Sequence, residues 1–112
     1  MNQTTIIGNL TADPKSRTVE TANGQQLVCN FTVAVNRARG GQETAEFFRV
    51  ACWRKQAENA MKYLKKGSKV CVMGPVSVRA YLSNDGQACA SLEVTAEVIE
   101  YLNTQNGGET DE

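Results

Sequence analysis

The run from Glu46 to Arg54 reads Glu-Phe-Phe-Arg-Val-Ala-Cys-Trp-Arg and places aromatic and cationic side chains in an alternating pattern. In a β-strand, alternate residues point to opposite faces of the sheet. One face would carry apolar residues suited to a core: Phe48, Val50 and Cys52. The other would carry two aromatics and a cation: Phe47, Arg49 and Trp53. Exposed aromatic rings stack on bases and cations neutralise phosphates, so this run predicts a platform for a single nucleic-acid strand.

Five strands and one helix are predicted to position this platform, at about residues 3–12, 27–36, 46–54, 69–81 and 88–102, with the helix at about 54–66. Strong turn signals, Asn23-Gly24 and Ser83 to Gly86, separate several of them. The helix has an apolar stripe at helical spacing that should face the core: Ala57, Ala60, Met61 and Leu64. Pro75 cannot donate to a ladder, so it marks an edge, a bulge or a break.

The order strand, strand, strand, helix, strand, strand predicts an all-β fold with one helix. It is typical of the OB-fold, a five-stranded Greek-key barrel, here with the helix between strands 3 and 4. This barrel offers the face of strands 2 and 3 to oligonucleotides, and predicted strand 3 carries Phe47 and Trp53. We expect one such domain over residues 1–103, followed by a short disordered acidic tail over residues 104–112.

The charge distribution is uneven along the chain, although the formal net charge is zero. Up to Arg79 there are 12 basic and five acidic residues, a net charge of +7, and the rest carries −7. A basic body would attract phosphates and make binding depend on salt. Folding could instead mix the two halves and leave no basic patch.

Enzyme and metal chemistry find little support in this composition. The chain has no histidine, no Gly-rich phosphate loop and no nucleophile with a neighbouring base, so we expect neither an enzyme nor a cofactor. Its four cysteines lack the paired spacing of a zinc site and are better explained as small buried hydrophobes in a reducing compartment: Cys29, Cys52, Cys71 and Cys89. Without a signal-peptide pattern or a membrane-length apolar run, a cytoplasmic location is expected.

Several blocks of sequence resemble the bacterial single-stranded DNA-binding protein (SSB) family. They are Ile6 to Leu10 with Asp13-Pro14, Asn30 to Val35, Glu46 to Val50 with Trp53, Ala57-Glu58, Tyr63 to Ser68, Val70 to Gly74, and Leu92 to Val98. The resemblance covers about residues 3–102. It implies sequence-independent binding and protection of single-stranded DNA in replication, recombination and repair, by a bacterial protein or one encoded by a phage or mobile element. It also implies a homotetramer built from dimers.

The resemblance places the stacking aromatics at Phe47, Trp53 and Tyr81. The basic residues expected to contact phosphates are Arg37, Arg39, Arg49, Arg54, Lys55, Lys62 and Arg79. Each aromatic also has a structural explanation, because Phe47 could lie in a subunit interface, Trp53 could cap the barrel and Tyr81 could shield a hairpin. Arg37 and Arg39 could belong to an ordinary solvated loop.

Two features depart from the family pattern. Many members have an aromatic residue in the loop after strand 2, where this chain has Arg37-Ala38-Arg39. Many also end in a long linker and an acidic Pro-Phe tip, whereas this sequence stops at Gly107 to Glu112, so recruitment of partner proteins through the tail has little support. Alternatives that remain open are an OB-fold interaction module, such as a primosomal accessory protein, and an RNA-binding OB domain.

Overall fold

The computed structural model describes residues 1–103, apart from the side chains of Arg39 and Asn103, and the predicted tail lies outside this range. The elements in chain order are β1 (Thr4–Leu10), β2 (Lys15–Thr21), β3 (Gly24–Arg39), β4 (Gln42–Trp53), α1 (Lys55–Tyr63), β5 (Lys69–Gly74), β6 (Val76–Leu82), β7 (Ala88–Thr95) and β8 (Val98–Asn103). The predicted class, all-β with one helix, is confirmed. The described part has no helix both long and apolar enough to span a membrane.

The strands form one strongly curled sheet in the order β6-β7-β4-β3-β1-β5-β8, with β2 paired to β3. All neighbours are antiparallel except β4 and β7. Two glycines permit close approach where the sheet curls. A Cβ on Gly8 would lie 2.2 Å from the Ala34 carbonyl oxygen, and one on Gly74 would lie 1.9 Å from that of Thr95. Both distances are far below van der Waals contact, so these positions require glycine.

The core lies inside the curl and is built mainly from medium-sized residues, with one face of β4 at its centre. Val50 and Cys52 are fully buried, and Phe48 packs against the same cluster. The helix closes one end of this core through Ala57 and Ala60. The alternating pattern of β4 therefore decides which of its side chains lie in the core and which lie on the outside.

The structure corrects the prediction of five strands. Lys15–Thr21 is a strand although nearly all its side chains are polar and exposed, because it is held by ladder pairing to β3. Predicted strand 4 divides at Pro75 into β5 and β6. The last predicted strand divides at Ala96-Glu97, whose amides donate to the carbonyls of Ala51 and Met73 and so close the barrel.

The helix is shorter than predicted. It ends at Tyr63 because Leu64 is already extended, with φ −104° and ψ 149°. Gly67, in the left-handed region at φ 91°, lies in the following turn and donates its amide to the Leu10 carbonyl. Met61 was expected in the core but is 41% exposed.

Candidate nucleic-acid interface

The outer face of β4 presents the three side chains on which the sequence argument rests. Phe47 is 57% exposed, Arg49 is exposed and Trp53 is half-buried. Trp53 lies six positions after Phe47, about 20 Å along the strand at the ordinary rise per residue. This length accommodates several nucleotides of an extended strand, so the two aromatics mark the ends of a surface rather than one pocket.

Small polar side chains of β3 flank this row on one side. The register pairs Ala34 with Phe47, Thr32 with Arg49 and Asn30 with Ala51. Directly opposed residues lie on the same face of a sheet. The surface beside Phe47 and Arg49 is therefore low and open, as a ligand lying across the strands requires.

β2 extends the same face with two cations. Lys15 is paired with Asn30 and Arg17 with Val28, which in turn faces Trp53 across β3 and β4. Both cations are exposed. Because the sequence analysis did not recognise β2 as a strand, it missed them. The alternation of Lys15, Arg17 and Val19 beside a hairpin turn is the signal that could have revealed them.

β7 and β6 form the other side of the surface. Glu93 lies opposite Arg49 in the parallel β4–β7 pair, and Ser91 lies opposite Arg79 in the β7–β6 hairpin. Tyr81 follows two residues after Arg79 on the same face and is 47% exposed. The register thus brings Tyr81 and Arg79 to the face that carries Phe47, as the repeated cation-plus-aromatic pattern predicted.

Three concavities on this face all include Arg49, so they form one continuous groove. Together they are lined by Thr11, Ala12, Asp13, Lys15, Arg17, Val28, Asn30, Phe31, Thr32, Arg49, Val50, Ala51, Trp53, Arg79, Tyr81, Ser91 and Glu93. We call this surface, with the adjacent Phe47, the groove. Four cations lie along it: Lys15, Arg17, Arg49 and Arg79. The basic patch therefore survives folding on this face.

One carboxylate of the groove interacts with two of its arginines. Glu93 Oε2 lies 3.9 Å from Arg49 Nε and 3.7 Å from Arg79 Nη1. The other acid of the groove, Asp13, accepts the backbone amide of Lys66 through Oδ1 at 2.8 Å. Sequence reasoning assigned Glu93 only to the acidic half of the chain, and only the β4–β7 pairing places it between arginines.

Four of the predicted basic residues lie outside the groove lining. Arg37 lies on the opposite face of β3 from Ala34, and its Nη1 donates to Glu46 Oε2 at 2.7 Å. Arg54 lies between β4 and α1 with φ 57°, and its Nε donates to the Gln26 side chain. On α1, Lys55 pairs with Glu58 at 3.7 Å, and Lys62 Nζ lies 5.3 Å from the centroid of the Tyr63 ring. For the fifth, Arg39, the side chain lies outside the described part.

The cysteines are free among the described residues, and three of the four are buried as expected, whereas Cys89 is only partly buried. Cys29 and Cys52 face each other directly across β3 and β4. The hydrogen bond between the two thiols, together with burial, raises the pKa of Cys52 above its ordinary value. Within residues 1–103, no three His, Cys, Asp or Glu side chains cluster as metal ligands would.

The family model for the single-strand binding protein family matches residues 1–102, nearly the whole described chain. The chain belongs to this family. Predicted single-strand binding (SSB) membership is thereby confirmed. The predicted OB-fold class is confirmed by the structural comparison below, with eight strands among residues 1–103 in place of the expected five.

Curated relatives of this SSB-family chain share a common description. A single-stranded DNA-binding protein of Bacillus cereus is 44% identical over 111 residues, and single-stranded DNA-binding protein A of Bacillus subtilis is 40% identical. Both alignments cover 96% of this chain. The chain spans only 64% and 63% of the length of those relatives. It spans 96% of single-stranded DNA-binding protein 1 of Clostridium acetobutylicum, at 39% identity.

A solved structure supports the same fold. The small single-stranded DNA-binding protein from Streptomyces coelicolor aligns with a TM-score of 0.67 and 27% identity, over 89% of this chain and 93% of that one. The curled sheet of this SSB-family chain is therefore shared with a single-stranded DNA-binding protein.

Proposed function

We propose that this chain binds single-stranded DNA without regard to base sequence. The observation that carries the proposal is the groove, in which exposed aromatics and arginines share one face of the barrel. Bases of a single strand are free to stack on Phe47, Trp53 and Tyr81, each worth about 1–3 kcal/mol when truncated. Stacking does not read base edges, and a duplex hides its base faces, which gives the preference for single strands.

Phosphates are held by the cations of the groove: Arg49, Arg79, Lys15 and Arg17. Each phosphate that a cation neutralises releases counterions, so affinity falls with salt. The other predicted basic residues contribute less, since Arg37 is paired on the opposite face and Lys55 and Lys62 lie on the helix. The domain over residues 1–103 is sufficient for this activity.

In the cell, the protein would protect single strands exposed in replication, recombination and repair, as a binding protein rather than an enzyme. The protein would act in the bacterial cytoplasm, where such strands form. We infer a homotetramer from family membership. Four grooves on one strand would raise the effective concentration of each after the first has bound.

A protein-interaction module is the second candidate, and one observation favours it. The face of the β6–β7 hairpin opposite Tyr81 is wholly apolar, and it includes Val78 at 68% and Leu82 at 73% exposure. An exposed apolar face of this kind often marks a protein contact. A subunit contact and a contact with another protein of DNA metabolism both fit this surface.

The proposal is tested by titrating fluorescently labelled oligo-dT of increasing length with the protein and following polarisation and Trp53 fluorescence. We expect binding that quenches Trp53 fluorescence and weakens with salt. Duplex of the same length should bind much more weakly. Parallel titration with oligo-U reports the preference between DNA and RNA. Duplex binding as tight as single-strand binding would contradict the proposal.

A matched pair of charge variants locates the phosphate contacts. Arg79→Gln should make the negative slope of log affinity against log salt shallower by about 0.7. Lys55→Gln removes the same charge from the helix and should leave the slope nearly unchanged. Equal slopes for both variants would contradict the placement of the strand in the groove.

A further inference from the structure

Glu93 is a carboxylate in the groove lining that lies beside two of the groove's arginines. A single oxygen, Oε2, lies within 4 Å of two guanidinium groups, on Arg49 and on Arg79. An anionic oxygen between two guanidinium groups is also the arrangement that a bridging phosphate would adopt. Glu93 Oε2 therefore lies where a phosphate oxygen bridging Arg49 and Arg79 would lie.

The contacts of Glu93 are loose enough to be exchanged. At 3.7 Å and 3.9 Å, the two distances exceed the range of a hydrogen bond, and the Arg49 and Arg79 side chains are half or more exposed. Ion pairs of this kind contribute little to stability in water. A pair built to stabilise the barrel would be shorter and more buried, as the bidentate contacts of arginine usually are.

We propose that Glu93 is an internal competitor for the phosphates of the bound strand. This inference rests on the proposed single-strand binding. In the free protein, the carboxylate holds Arg49 and Arg79 and halves the charge that they offer together. A phosphate entering the groove must displace it, and when the phosphate leaves, the carboxylate returns to the arginines. Glu93 thereby weakens binding and speeds the release of the strand, which a protein that must be cleared from DNA requires.

The test compares Glu93→Gln with Glu97→Gln. Glutamine keeps the size of Glu93 and one acceptor oxygen but removes its charge. Glu97 is exposed in the connection between β7 and β8, so its variant makes the same change in net charge outside the groove lining. Affinity and dissociation rate are measured with labelled oligo-dT at several salt concentrations, by polarisation and stopped flow.

We expect Glu93→Gln to bind roughly three- to tenfold more tightly at low salt, with a salt slope steeper by about 0.7 and slower dissociation. Glu97→Gln should change affinity much less. Equal effects of the two variants would overturn the inference, because net charge alone would explain them. Weaker binding by Glu93→Gln would also overturn it, because Glu93 would then position the arginines.

Two further measurements keep the test decisive. Glu93→Asp retains the charge but shortens its reach, so its affinity should lie between those of the wild type and Glu93→Gln. It serves as the test if the glutamine variant folds poorly. In the Arg79→Gln background, the gain from Glu93→Gln should shrink, since one of the two competed cations is absent. Wild-type protein that fails to bind oligo-dT would overturn the proposed function itself, whereas wild-type binding with no gain in Glu93→Gln overturns this inference alone.

Discussion

Both faces of β4 carry a phenylalanine, but the side chains of one face are mostly buried and those of the other are mostly exposed. Phe48 packs against the core, while its neighbour Phe47 is 57% exposed. Val50 and Cys52 are fully buried, while Arg49, which directly precedes Val50, is exposed in the groove. One face therefore holds the barrel together and the other is available to a ligand. An aromatic residue in a strand thus acquires its role from the face it occupies, not from its type.

The largest expected effect comes from placing a charge on the inner face. Val50→Asp would bury a carboxylate without a partner and should lower the free energy of unfolding by more than about 4 kcal/mol. Ala45→Asp introduces the same group on the exposed outer face and should change it by less than about 1 kcal/mol. Urea unfolding followed by circular dichroism measures both, and comparable losses would mean that the two faces do not differ as described.

The adjacent phenylalanines offer a sharper comparison, because identical side chains are removed from opposite faces. Phe47→Ala should weaken oligo-dT binding by about 1–3 kcal/mol and change stability by less than about 1 kcal/mol. Phe48→Ala should lower stability by about 2–3 kcal/mol, because Phe48 is only partly buried. Titration and urea unfolding of both variants test this, and a large loss of stability in Phe47→Ala would assign Phe47 to packing or to a subunit contact.

The smallest effect is a pH dependence of the inner face. The hydrogen bond with Cys29 and burial raise the pKa of the Cys52 thiol above its ordinary value of 9.0. A raised pKa adds to the free energy of unfolding, and this contribution is present in full below pH 9. It is lost as the pH rises further, at up to about 1.4 kcal/mol per pH unit. The same hydrogen bond lowers the pKa of Cys29, so both thiols must be removed together: unfolding measured between pH 8 and pH 10 should show a shallower decline in the double variant Cys29→Ala with Cys52→Ala. Identical slopes in the variant and the wild type would mean that the thiol ionises freely.

Much of this architecture could be read from local pattern. The alternation in 46–54 predicted both faces of β4 correctly, because the period of a strand depends only on the backbone. Pro75 was recognised as a possible break, since its ring removes an amide donor wherever it lies. β2 escaped recognition because a polar strand held by its ladder carries almost no hydrophobic signal. Arg37 was grouped with the groove although strand alternation from Ala34 places it on the opposite face.

The sequence by itself determined the aromatic and cationic character of the outer face, the family, and the order of most elements, because these depend on residue type and short spacing. The tertiary structure alone decided which distant residues meet. Pairing of β4 with β7 placed Glu93 beside Arg49, and pairing of β2 with β3 added Lys15 and Arg17 to the groove. Such contacts depend on which strands pair and in which register, and the periodicity of a single strand does not identify its partner among strands far apart in the chain.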